Sequence, residues 1–249
     1  MNNLIKNELY KAFRLKKFYI IIFVALAVEI LVALQSKFSE IASGVSAVNG
    51  QKFPLLLLDN IPYLFVIFVA VFIADSWVDE YRTGAFKLTL LRPVKRITFL
   101  SAKVVSLLVC SGVIMGFALT SAYTIGTLTF GWEENEGLGS VFLTLEAGAV
   151  TLLPVLGFGL LILFIAILTD NMGVTIGGAL GLMIFSQMLE ASEGFRDYSI
   201  IYVMRSFYKN LFVQYTQEAV IMNVVVITAY IIIFYVGCVL AFYKKDVIA

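Results

Sequence analysis

The chain has 249 residues, of which 61% are hydrophobic and 14% charged, with a formal net charge of +1 and a mean hydropathy of +0.95. A soluble domain is about 45–50% apolar and about 25% charged, so the main solvent of this chain is a bilayer. The complete absence of histidine excludes Ser–His proteases, His-ligated metalloproteases and His-dependent phosphatases, and nothing in the net charge argues for nucleic acid as a partner.

Residues 1–17 read as an amphipathic helix lying along a membrane surface. At helical spacing Leu4, Ile5, Leu9, Ala12, Phe13 and Leu15 share one face, and Lys6, Arg14 and Lys17 share the opposite one; Glu8 and Lys16 break the pattern. Such a helix sets its apolar face in the acyl boundary and its cations toward anionic headgroups. The same cations also fit a plainer role, as the anchor of the first span.

Six apolar stretches near the length of about 20 residues that crosses a hydrocarbon core follow. They cover residues 18–34, 54–74, 104–129, 147–168, 173–189 and 219–243. The first is expected to be a retained helix and not a cleaved leader, because it is long, carries Glu29 and is followed by no A-x-A-like site. Glu29 is the acidic residue set well inside a span. A charge at mid-bilayer costs about 2.5–3.5 kcal/mol on insertion scales, so it must face a partner, the protein interior or water. Two roles stand for it: lining a pathway for polar or cationic cargo, or fixing helix packing through hydrogen bonds.

Between the second and third spans lies DEYRTGAFKLTLLRPVKRITFLSAK, from Asp79 to Lys103, with the basic residues Arg82, Lys87, Arg92, Lys95, Arg96 and Lys103. A loop this basic marks the cytoplasmic side. Placing the N-terminus there puts thirteen of the 18 basic residues inside and five outside, so both termini are expected in the cytoplasm. The outer side then receives residues 35–53, the acidic loop 131–146 and the longer segment 190–218. In the last, Phe195, Tyr198, Ile200, Ile201, Phe207 and Tyr208 alternate with charges, and short amphipathic helices resting on the outer surface are expected. The tight turn Thr169–Met172 makes the fourth and fifth spans antiparallel neighbours.

Small residues recur at spacing four, at Gly112 and Gly116 and at Gly173, Gly177 and Gly181. They are expected to serve close packing within the chain. Pro154, Gly157 and Gly159 suggest a local kink in the fourth span. Cys110 and Cys238 lie inside apolar runs and read as packed thiols. No phosphate-binding G-x-x-x-x-G-K-[ST] loop occurs, and Asp75, Asp79 and Glu80 read as a helix-end charge cluster.

After the second span the order Glu80, Gly84, Lys87, Pro93, Arg96 and then Lys103 resembles the permease subunits of type-2 ATP-binding-cassette exporters, with Ala85 where that family usually has Thr. The amphipathic N-terminal helix, the six spans and the outer segment before the last span share the resemblance. It implies an all-α polytopic protein of the bacterial cytoplasmic membrane that is not itself an enzyme and holds no cofactor. ATP and Mg would be bound by two copies of a cognate nucleotide-binding ATPase subunit, and a second permease subunit, identical or different, would complete the pathway. Residues 77–98 would be the coupling segment. Its ATPase contacts would be Glu80, Arg82, Gly84, Phe86, Lys87, Leu90, Pro93 and Arg96, with Phe86, Leu88, Leu90 and Leu91 as an apolar surface ringed by cations. Periodicity alone equally fits a helix lying on anionic lipid. A wall rich in aromatic side chains, from 21 Phe and 12 Tyr, suits amphipathic or hydrophobic cargo, with peptide favoured by the resemblance. A substrate-capture subunit of an importer and a non-transport membrane scaffold are the other classes open at this point.

Overall fold

The computed structural model describes residues 2–43, 48–85, 95–132, 140–192 and 194–245. All regular structure among them is helical. The helices are α1 (Asn2–Arg14), α2 (Lys16–Ser43), α3 (Phe53–Leu58), α4 (Ile61–Arg82), α5 (Arg96–Phe130), α6 (Val141–Thr169), α7 (Met172–Glu190), α8 (Ile200–Tyr208) and α9 (Gln217–Lys244). Six of them, α2, α4, α5, α6, α7 and α9, are long and apolar enough to cross a membrane. The chain is an all-α, multi-pass membrane protein.

Several helices differ from the expected spans for local reasons. α2 runs on through polar residues as far as Ser43, with Lys37 and Glu40 paired across one turn at 3.0 Å. The second span is broken into α3 and α4. Each piece has a proline in its first turn, Pro54 and Pro62, where the missing N–H is no loss. α4 continues through a π-turn at Ala74–Asp79 to Arg82, and α5 already begins at Arg96. Residues 77–82 and 96–98 of the expected segment 77–98 are therefore the end of one long helix and the start of another.

α6 is the central helix and touches α4, α5, α7, α8 and α9. Its glycines permit this. A Cβ at Gly148 would lie 2.8 Å from Leu119 Cδ1, one at Gly157 would lie 3.3 Å from Ile200 Cδ1, and one at Gly159 would overlap Leu107. The stripe on α7 behaves otherwise. Gly177 and Gly181 are exposed and would meet nothing within 4 Å, so the close approaches expected there fall on α6 instead.

Within the segment 190–218, α8 is buried, while Phe195, Tyr198 and Tyr215 on either side of it are exposed. In α8 the side chains of Ile200, Ile201, Val203, Met204, Phe207 and Tyr208 are all buried, and Ile200 meets Gly157 near the middle of α6. This short amphipathic helix is tucked into the bundle between α4, α6, α7 and α9.

Contacts bring α1, the end of α4, the start of α5, the α6–α7 turn and the end of α9 to one end of the bundle. The first and last membrane-length helices thus have their outer termini, Lys16 and Lys244, at the same end. At the opposite end Gly50 N–H donates to the Gly131 carbonyl at 3.0 Å. A side chain at position 50 would collide with that carbonyl.

Candidate functional site

The residues of interest converge at the end that gathers α1 and α9. Lys103 lies near the start of α5, only 2% exposed. Its ammonium donates to Glu8 Oε2 and Glu80 Oε2, each at 2.8 Å, and to the Ser76 carbonyl. Lys11 donates to the other oxygens of the same carboxylates, Glu8 Oε1 and Glu80 Oε1, each at 2.9 Å. Each carboxylate is therefore held by both ammonium groups. The four side chains come from α1, α4 and α5 and close one ring of charge-assisted hydrogen bonds.

Local structure explains why they meet. Glu8 and Lys11 stand three apart on α1 and so share a face. The π-turn at Ala74–Asp79 winds an extra residue into α4 and disturbs its ladder of i→i−4 bonds; the Ser76 carbonyl, inside that turn, takes the Lys103 ammonium. The Phe99 ring, one turn before Lys103, lies 5.0 Å from the ammonium. Burial works against charge on Glu8, but the ammonium groups of Lys103 and then Lys11 outweigh it and hold the Glu8 carboxyl below its ordinary value. For Lys11, burial works against the charge, and the carboxylates of Glu80 and Glu8 outweigh it, so its ammonium is held above its ordinary value.

A second set of cations closes the same end. Arg96 Nη1 donates to the carbonyls of Phe242, Tyr243 and Lys245 at 2.8, 3.1 and 3.0 Å. These are unpaired carbonyls at the C-terminus of α9, where a cation also meets the negative end of the helix dipole. Lys245 does the same for α6: it donates to the Ile167 carbonyl at 2.5 Å, pairs with Asp170 and sits 4.4 Å over the Tyr81 ring. Asp170 takes the left-handed conformation that ends α6, with φ 47°. Behind these charges Trp77, Phe99 and Phe242 pack together, with ring centroids 5.1 Å apart for Trp77–Phe242 and 6.4 Å for Trp77–Phe99.

The residues singled out in sequence fall into distinct places. Glu80 and Arg96 are engaged within the chain. Arg82 is exposed at the end of α4. Thr83 Oγ1 donates to the Asp79 carbonyl at 2.8 Å, and Gly84 has φ 72°, a turn that glycine adopts without strain. Phe86, Lys87, Leu90 and Pro93 lie outside the described residues. Glu29 is not brought to this end. It is 5% exposed and faces a cavity of about 30 Å³ shared with Asn60, Leu64 and Ala118. The Ser121 hydroxyl lies beside the carboxyl, and Oε2 has no partner among the described residues. Its side chain is directed to the protein interior.

Glu8 and Lys11 are the residues that the sequence pattern undervalued. The available signal was Glu8 itself, the one acidic residue in a basic amphipathic helix, placed where it breaks the pattern. Its partner Lys103 is, with Arg96, one of the two cations in the first turns of α5.

Residues 18–248 match the family described as Protein of unknown function (DUF2705), and the chain belongs to that family. No curated protein matches the chain.

Proposed function

We propose that this member of the DUF2705 family is the transmembrane permease subunit of an ATP-driven exporter, moving an amphipathic or hydrophobic cargo, with peptide the favoured class. The observation that carries the reading is the Glu8–Lys103–Glu80–Lys11 ring. It joins α1, α4 and α5 beside the stretch between α4 and α5 whose residue order resembles the coupling segment of type-2 exporters. A partner that displaced this stretch would move three helices together, as a rigid-body change requires.

On this reading the charged end faces the cytoplasm, in keeping with the excess of Lys and Arg there. Two cognate ATPase subunits bind and hydrolyse ATP with Mg, and a second permease completes the pathway. Because Glu80 and Arg96 are engaged inside the chain, the grip falls on exposed Arg82 and Lys95 and on the residues between them. Charge at such a rim tunes association with the partner more than it tunes the fold.

The test is co-purification with the cognate ATPase, followed by ATP-dependent peptide uptake into inverted vesicles. The Arg82→Glu, Lys95→Glu double variant should fold, lose the ATPase and lose uptake. A tag placed between α4 and α5 that reacts from the outside of intact cells would refute the orientation. Full uptake by the double variant would refute the grip.

A further inference from the structure

Between α1 and the π-turn of α4 lies a cavity of about 450 Å³, within the size range of small-molecule sites. The charged ring forms one wall, and its groups are already engaged with one another. The remaining lining includes the cations Arg14 and Lys17, the carboxylates Asp75 and Asp79, and the apolar Leu15 and Phe72.

The charges there are incompletely matched. Lys17 Nζ meets Asp75 Oδ1 at 2.6 Å. Asp75 is 10% exposed, and its Oδ2 is buried with no hydrogen-bond partner among the described residues. Such an oxygen is costly to leave unpaired. Asp79 is exposed and enters no ion pair among the described residues. The Arg14 guanidinium lies 5.1 Å over the Tyr10 ring and likewise meets no carboxylate among those residues. The cavity thus offers spare positive and negative groups side by side. It opens where α1 meets the start of α2 and the end of α4, at the boundary between an apolar span and a polar surface.

We propose that this cavity binds the headgroup of a zwitterionic phospholipid carrying a primary amine, that is, phosphatidylethanolamine. The phosphate lies with Arg14 and Lys17, the ammonium donates to Asp79 and, once the Asp75 carboxylate turns Oδ2 toward the cavity, to Asp75, and an acyl chain runs along Leu15 and Phe72. Recognition depends on N–H donors. A quaternary choline headgroup has none and leaves Asp75 Oδ2 unpaired. A glycerol headgroup keeps the phosphate but brings no cation to the two carboxylates. This inference does not depend on the exporter reading.

The test uses the purified full chain in detergent, titrated with phosphatidylethanolamine, phosphatidylcholine or phosphatidylglycerol. Bound lipid is counted by native mass spectrometry. One charge-assisted hydrogen bond corresponds to about tenfold in affinity, so phosphatidylethanolamine should be retained about tenfold more strongly than the other two. Asp75→Asn and Asp79→Asn should each reduce that preference, and Arg14→Gln should weaken phosphatidylethanolamine and phosphatidylcholine alike. Asp79 is exposed, so its variant keeps the fold, and unchanged far-UV circular dichroism checks this. Equal retention of phosphatidylethanolamine and phosphatidylcholine by the parent chain overturns the proposal. So does a preference for phosphatidylglycerol, or a phosphatidylethanolamine preference that survives both Asp substitutions.

Discussion

The two ends of the bundle are held by different means. At the end that gathers α1 and α9, ion pairs and carbonyl-capping cations link helices distant in sequence: Glu8 and Lys11 to Glu80 and Lys103, Arg96 to α9, Lys245 to α6. At the other end a short apolar helix, α8, is inserted among its neighbours. Polar contacts trim it: Tyr208 donates to Asp59 at 2.5 Å, Lys209 pairs with Asp59 at 2.6 Å, and Arg205 pairs with Glu190. Apolar burial is non-directional and tolerates sliding. A closed ring of buried charges has one good arrangement and resists departure from it. The first end is suited to transmitting displacement and the second to yielding.

Substitutions can break this contrast. The largest effect is expected for Lys103→Ala, which leaves two carboxylates in a site with one ammonium. Removing one partner of a buried ion pair costs about 3–5 kcal/mol, read as loss of stability in denaturant unfolding in micelles. Arg96→Gln should come next, at about 1.5–3 kcal/mol for lost charged hydrogen bonds to the α9 carbonyls, with faster hydrogen exchange confined to the last turn of α9. Acidification should act on the same end. The Glu8 carboxyl is held below its ordinary value, so its contribution is intact above the ordinary carboxylate range and is lost as pH falls through the lowered folded value. Glu8→Gln should flatten this acid limb in thermal scans. At the opposite end Tyr208→Phe should cost about 1.5 kcal/mol, the low end for a hydrogen bond to a charged group, because Lys209 still pairs with Asp59. A larger loss there than for Lys103→Ala would reverse the contrast.

The spans were readable because bilayer thickness imposes a length and an apolar content on each, which survive in the bare sequence. Hydropathy does not report pairing. Lys103 reads in the sequence as the last cation of the basic loop, and its partner Glu8 is remote in sequence and interrupts the amphipathic pattern of α1. Periodicity therefore marked it as an exception and not as a site. α8 was misplaced for a related reason. Its charges suggested a surface, whereas Arg205 finds Glu190 and Tyr63 and its apolar side chains enter the bundle. Nor does composition reveal the π-turn within α4, whose Ser76 carbonyl accepts from the Lys103 ammonium.

That turn sets an angle. Each residue of an α-helix advances about 100° around the axis. Deleting one position within Ala74–Asp79 would restore regular winding and swing everything downstream by roughly that amount. Glu80 would then point away from Lys103, while the helix lost almost nothing in length. The extra residue acts as an aiming device, and its removal would leave a well-formed rod whose carboxylate faces the wrong neighbour.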